Sequence, residues 1–334
     1  MASGSATEIT KTQSEGDFQA PQRHKKKLTK NTLRDWRFCA ICLAYPVIQF
    51  VLVWSFVNIG GVLLAFKRYY AWGDWEWCGF FQFAKVIDDL LHSTVNQTGV
   101  SWLNSTRVEL LNSFGYGFVT IFISLPLSLL FSYFLSKKMP LSNVFRVIFF
   151  LPNVIPIVAL TLAFKLPFDS TYGYMYKVFT AFGLSGGIFE SWPSSQIWIY
   201  IYCIWAGLGY YILLLSGAIG RIPKEIYESA EIDGAGYATE FIKITVPLVW
   251  PTIITLVVLG MTNVLTLYLQ PYLMTNGEAS TYTIAMSIFV STSSYNPVQY
   301  CEAAAKGLLF TIVWAPIVML VRNLMSRCFR DVDY

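Results

Sequence analysis

Two sets of side chains in this 334-residue sequence have types and spacings that could do chemistry. The first is acidic. Glu225, Glu228 and Glu231 recur at i, i+3 and i+6, with Asp233 following and Ile226, Tyr227 and Ala230 as an adjacent apolar strip. Like charges at that spacing weaken an isolated helix, and Glu231 and Asp233 near its C-terminus oppose the macrodipole. Two readings stand: a solvated acidic face, or a helix that enters a groove on a partner. In the second, the acids meet Arg or Lys and Ile226 and Tyr227 supply the buried contact. The second set is neutral: Thr252, Thr255, Thr262, Asn263, Thr266, Tyr268 and Gln270 stand in an otherwise apolar run. On one continuous helix, Thr262, Thr266 and Gln270 share a face with Asn263 alongside. That face either hydrogen-bonds neighbouring helices or lines a path for a neutral, hydroxyl-rich solute.

Sets needed for other chemistry are missing. There is no G-x-x-x-x-G-K-[ST] phosphate cradle, and the Gly183, Ser185, Gly186, Gly187 cluster has no Lys after it. The two histidines, His24 and His92, cannot build a His-rich metal site or a Ser–His–Asp set. Cys39 and Cys42 form a C-x-x-C, but it opens an apolar run and reads as small buried hydrophobes. Cys78 and Cys301 could share a compartment, paired or unpaired. The sequence therefore argues against an enzyme and against any cofactor or metal held by this chain.

The elements that must position the two sets lie in a bilayer. Hydrophobic residues make up 55% of the chain and charged ones 13%, about half the charge of an ordinary soluble domain. Six apolar segments are long enough to span as helices, at about 38–66, 112–135, 144–164, 196–219, 247–270 and 308–325. The expected class is an all-α integral membrane protein of six transmembrane helices over residues 36–334. Residues 1–35 read as a disordered basic tail. Its Lys and Arg cluster touches anionic lipid and sets orientation rather than binding nucleic acid. Of the 24 Lys and Arg residues, 17 fall in the tail, the turn after the second segment, the loop 221–246 and the C-terminus. The positive-inside rule then makes both termini and loop 221–246 cytoplasmic, and 67–111, 165–195 and 271–307 extracytoplasmic. Trp72, Trp75, Trp77 and Trp102 in the first of these form an interfacial belt or a docking surface. No Asp, Glu or His falls inside the six segments as bounded here, which disfavours ion coupling.

Within the loop, Pro223 suits a first helical turn. Lys224 to Asp233 holds helix formers, and Gly234 supplies a left-handed stop. A second short helix follows from about Tyr237 to Ile244, and Pro247 opens the fifth segment.

The loop resembles the cytoplasmic EAA loop of binding-protein-dependent ABC importer permeases. That pattern is E-A-A, three residues, G, nine residues, I-x-L-P. Here it stands as Glu228-Ser229-Ala230, three residues, Gly234, nine residues, Ile244-Thr245-Val246-Pro247. The surrounding form looks like the carbohydrate branch of maltose and multiple-sugar type. Further similarity lies in Leu111-Asn112-Ser113, Phe145-Arg146, Phe150-Leu151-Pro152, Trp205, Gly207 and Leu273-Met274-Thr275-Asn276-Gly277. Tyr176 departs from the pattern, since many members carry Asn after the glycine matching Gly173.

The resemblance implies a type I ABC importer permease-like fold with a coupling helix between the fourth and fifth spans. It implies a sugar or oligosaccharide substrate in a bacterial plasma membrane. It implies as partners a second permease subunit, two ATPase subunits carrying ATP and magnesium, and an extracytoplasmic solute-binding protein. Glu225, Ile226, Tyr227, Glu228, Ser229, Ala230, Asp233 and Gly234 would sit in the ATPase groove, with Glu228 as the main acid. Asn263, Thr266, Tyr268 and Gln270 are the candidates for the solute path. The rival readings are an importer permease for a charged or amino-acid solute, and a channel or secondary transporter working alone.

Overall fold

The computed structural model describes residues 30–70, 73–91, 106–137, 139–181, 187–294 and 296–328, with side chains from Trp36 onward. Residues 1–29 of the expected tail, Trp72, Trp102, His24, His92 and residues 183–186 lie outside them; residues 30–35, expected as disordered tail, are helical. The chain separates into two units, residues 1–58 and 59–334. The first holds most of a helix that begins at Lys30, of which Trp36–Leu64 is long and apolar enough to cross a bilayer.

Three more unbroken helices meet that test: Thr106–Ser136, Ser194–Ile219 and Pro297–Cys328. Two bent pairs meet it as well. Ser142–Val154 and Ile157–Phe168 meet at 99°, and Tyr237–Leu248 and Trp250–Thr266 at 73°. Counting each pair once gives up to six candidate spans among the described residues, called here the first to sixth spans. The third segment, expected as one run over about 144–164, is broken near its middle. Pro156 forces Ile155 into extended backbone, with ψ at 135°, because a residue before proline is driven out of the helical region.

The fifth span was expected to run to Gln270 and instead ends at Thr266. Pro271 explains this. It has no N–H to give the Leu267 carbonyl, and its ring clashes with that same carbonyl in a continuous helix. Leu267 turns extended, with ψ at 112°, and a new helix runs from Leu269–Thr275. The freed Leu267 carbonyl accepts the Thr283 hydroxyl at 2.8 Å. The expected common helical face of Thr262, Thr266 and Gln270 therefore does not exist.

The second and sixth spans start earlier than expected, at Thr106 and Pro297. This brings charge into them. Glu109 and Lys306 pair at 3.0 Å, both nearly buried, and the Ser287 hydroxyl donates to the same carboxylate oxygen at 2.8 Å. Segment 67–111, expected as loop, carries an antiparallel hairpin of Lys67–Tyr69 with Trp75–Trp77 and a helix over Phe81–Leu91. Lys85 ties that helix to Glu302 of the sixth span at 2.6 Å. Cys78 and Cys301 are unbridged.

The larger core cluster joins Leu125, Leu129 and Tyr133 of the second span to Tyr211, Leu215 and Ile219 of the fourth and Ile253, Leu256 and Met261 of the fifth. Close approach depends on small residues. A methyl group added at Gly117 would collide with Val264, and one at Gly209 with the Phe149 carbonyl.

Candidate functional site

The breaks in the second unit meet at one place. A cavity of about 380 Å³ is lined by Thr120 and Ser124 from a wide π-helical turn in the second span, and by Asn153 and Ile157 from either side of the third-span bend. Tyr202, Cys203, Gly207 and Tyr211 of the fourth span complete it, together with Asn263, Thr266, Tyr268 and Gln270 around the fifth-span break. Backbone at membrane depth departs from the helix only where it is covered by protein or lines a cavity, and single π turns concentrate at functional sites.

All four solute-path candidates line this cavity. Gln270 arrives through the helix that restarts at Leu269 and not through helical periodicity. Tyr268 packs on Phe289, with ring centroids 4.7 Å apart. The Thr266 hydroxyl donates to the Thr262 carbonyl at 3.0 Å, the Asn153 amide to Ala206 at 3.2 Å, and the Tyr202 and Thr161 hydroxyls lie 2.7 Å apart. Among the described residues none lining the cavity is charged. Such a surface can hydrogen-bond hydroxyls and lay tyrosine rings against an apolar sugar face. It offers no counter-charge to an ion. Thr120, Ser124, Asn153, Tyr202 and Tyr211 were missed from sequence. The available signals were Pro156 and Pro271, which mark two of the breaks, and Asn153, a lone amide between Pro152 and Pro156.

The acidic set lies at the other end of the fourth span. A helix runs from Lys224–Ile232, and Pro223 caps it from outside, in extended backbone with ψ at 137°, instead of standing in its first turn as expected. Gly234, at φ +78°, stops it. Ala235 N–H donates to Ala230 at 2.9 Å and Gly234 N–H to Glu231 at 3.0 Å. This pair of bonds closes the helix end and needs the left-handed residue that glycine supplies without strain. Glu225, Glu228, Ser229, Glu231 and Asp233 are exposed.

The apolar strip faces elsewhere than expected. Ala230 is buried, and Ile226 and Tyr227 pack on the chain's own core. The helix is short and polar, so its single apolar stripe is used to seat it on the bundle. The most exposed large apolar side chains of the loop are Ile232 and Tyr237, 86% and 71% exposed, which sequence reasoning passed over. After Tyr237–Glu240 the expected short second helix becomes a π turn over Phe241–Thr245. Lys137, just past the second span, fixes the loop from below. Its ammonium pairs with the buried Glu240 carboxylate and sits 4.7 Å from the Tyr227 ring centre.

Comparison with known proteins agrees with this architecture. A diacetylchitobiose uptake system permease protein of Streptomyces coelicolor is 25% identical over 317 residues, covering 91% of this chain and 86% of its own. A sulfoquinovosyl glycerol transport system permease protein of Agrobacterium fabrum is 28% identical over 264 residues, 77% of this chain and 78% of its own. A chain from the crystal structure of a bacterial ABC transporter involved in the import of the acidic polysaccharide alginate has the same fold. It aligns with a TM-score of 0.71 at 19% identity, over 89% of this chain and 98% of that one. Residues 124–332, more than half of the chain, match the family described as binding-protein-dependent transport system inner membrane component. That stretch contains the loop helix, the third-span bend and the fifth-span break, and the chain belongs to this family.

Proposed function

We propose that this chain is one permease subunit of an ATP-driven importer that moves a neutral sugar or oligosaccharide into the cytoplasm. The observation that carries this reading is the uncharged, tyrosine- and amide-lined cavity where the spans break. The sugar systems named for the relatives support the substrate class. A lining with no fixed charge favours a neutral saccharide over an acidic one, since an unpaired buried charge is costly.

The energy source lies outside the chain. A second permease faces the cavity, and two ATPase subunits receive the loop. Glu228 meets a basic residue of the ATPase groove, and Ile232 and Tyr237 supply the buried contact. Ile226 and Tyr227, packed on the core, and the buried Ala230 transmit movement inward. Ser229, Glu225, Asp233 and Gly234 shape the helix and its end. ATP with magnesium, held by the partner ATPases, supplies hydrolysis energy; a solute-binding protein delivers the sugar on the opposite side. Both termini and loop 221–246 face the cytoplasm, as the distribution of Lys and Arg favours.

The test is uptake by proteoliposomes holding the full complex with its binding protein. ATP-dependent accumulation of neutral oligosaccharides is expected, with uronate oligosaccharides poorly taken up. Uptake that persists without the ATPase subunits would sink the importer reading. A preference for uronates would sink the substrate class alone.

A further inference from the structure

One polar face of the second span belongs neither to the cavity lining nor to the loop. Glu109, Asn112 and Ser113 stand at i, i+3 and i+4 of the helix Thr106–Val119 and so lie side by side. All three are buried, and buried polar groups in a membrane helix are costly unless paired. Each is paired with one stretch, residues 280–287. The Asn112 amide donates to the Ser280 carbonyl at 2.7 Å and to the Tyr282 carbonyl at 2.9 Å. The Ser113 hydroxyl accepts the Ile284 N–H at 3.0 Å, and Glu109 accepts the Ser287 hydroxyl.

The turn leading into that stretch is strained. After the helix Leu269–Thr275, residues Asn276, Gly277, Ala279 and Ser280 take φ of 53°, 81°, 53° and 59°. Left-handed backbone suits glycine and is tolerated by asparagine, but it is unfavourable for alanine and serine. Such a conformation persists only where its surroundings hold it. Asn112 does so by gripping two carbonyls at the end of the turn, one of them on the left-handed Ser280.

The turn joins two helices that shape the fifth-span break. Leu269–Thr275 carries Gln270 into the central cavity. Ile284–Ser293 is capped by Thr283, whose hydroxyl also holds the freed Leu267 carbonyl. Phe289 of that helix packs on Tyr268 and, with ring centroids 5.3 Å apart, on Tyr272. The second span therefore reaches the cavity wall in two steps, through residues 280–287 and then through Thr283 and Phe289.

Resting on the importer reading above, we propose that Asn112, supported by Ser113 and Glu109, is a positioning residue for solute selection. It fixes the turn and the helix Ile284–Ser293, and so sets where Tyr268 and Gln270 meet the sugar. A merely structural role would lower the amount of folded complex without regard to which sugar is carried.

The full complex carrying Asn112→Ala is compared with the unaltered complex in proteoliposomes. The probes are the two sugars that the unaltered complex accumulates fastest from maltose, cellobiose, xylobiose and diacetylchitobiose, supplied together at equal concentration. Loss of folded complex lowers both uptake rates alike and leaves their ratio unchanged. The ratio is expected to shift roughly threefold or more, the worth of part of a hydrogen bond. In parallel, 4-trifluoromethylphenylalanine in place of Tyr268 is followed by fluorine NMR of the full complex. Its resonance is expected to move or split when Asn112→Ala is added. An unchanged ratio would overturn selection by Asn112, whatever the total uptake. An unchanged resonance would overturn the route through Tyr268, and this reading needs no transport at all. If Asn112→Ala does not assemble, Ser113→Ala and Ser287→Ala, which each remove one bond from the same contact, are put through both measurements with the same expected outcomes. The importer reading stands or falls separately, on uptake without the ATPase subunits.

Discussion

The central cavity and the loop helix put their polar groups to opposite uses. The cavity is built where backbone regularity fails, at the third-span bend, the fifth-span break and a π turn of the second span. Its polar groups are neutral, and several already hydrogen-bond within the chain. The loop is a regular helix with a closed end. Its charges point outward, and its apolar stripe is spent on its own bundle. A site for a transient neutral solute gains from weak, adjustable contacts. A site for a resident motor gains from a rigid body with fixed charge. On the proposed reading, the pairing of both in one chain separates what is carried from what drives the carrying.

That separation can be broken from either side. The largest effect is expected from Glu228→Lys, which places like charge against a basic groove. Such juxtapositions cost several kcal/mol, so uptake and stimulated ATP hydrolysis should both fall about a hundredfold in proteoliposomes. Retention of coupled hydrolysis would remove Glu228 from the contact. Next is Lys137→Ala, which strands the buried Glu240 carboxylate. Loss of one partner from a fully buried pair costs about 3–5 kcal/mol, and less here because Lys137 is partly exposed, so thermal unfolding in detergent should come earlier. The double variant with Glu240→Gln should recover much of that loss; no recovery would mean that the pair is not what holds the loop.

A smaller loss, about 1–3 kcal/mol, is expected from Thr283→Val, which leaves the Leu267 carbonyl unpaired and removes the acceptor of the Met286 N–H at the start of the Ile284–Ser293 helix. The unfolding temperature should drop, and uptake should weaken as the fifth-span break loosens. Asn263→Leu should act on the cavity alone. Losing one hydrogen-bonding group should raise the KM for uptake roughly tenfold, with the unfolding midpoint and ATP hydrolysis unchanged. If instead the uncoupled ATPase rate moves, the cavity and the loop are less separate than their chemistry suggests.

Much of this was legible in the sequence, for reasons that differ by region. Apolar length gave the spans, because a bilayer sets that length physically. The loop helix was readable because its signals are local: Pro223, a run of helix formers, then Gly234. The direction of its apolar stripe was not, since Tyr227 meets Lys137, and Ile226 and Tyr227 pack against a cluster that draws on the second, fourth and fifth spans. The cavity was half readable. Asn263, Thr266, Tyr268 and Gln270 stood out as polar groups in an apolar run, but periodicity alone drew a straight helix through them. Pro271 acts four residues upstream, so the break falls at a residue with no mark of its own. The Glu109–Lys306 pair escaped because hydropathy bounded the second and sixth spans too tightly.

Lys137 has a mechanical consequence. The loop hangs by its two ends from the fourth and fifth spans, and through Glu240 and Tyr227 it is also pinned to the foot of the second. From there a helix, Leu125–Ser136, runs without interruption to the π turn at Thr120–Ser124, about 18 Å away at 1.5 Å per residue. This half of the second span, Leu125–Ser136, is thus a stiff rod with one end beside the loop and the other at the cavity wall. A tilt of the loop is delivered to Thr120 and Ser124 with little loss, and the wide turn there is where such a rod can yield.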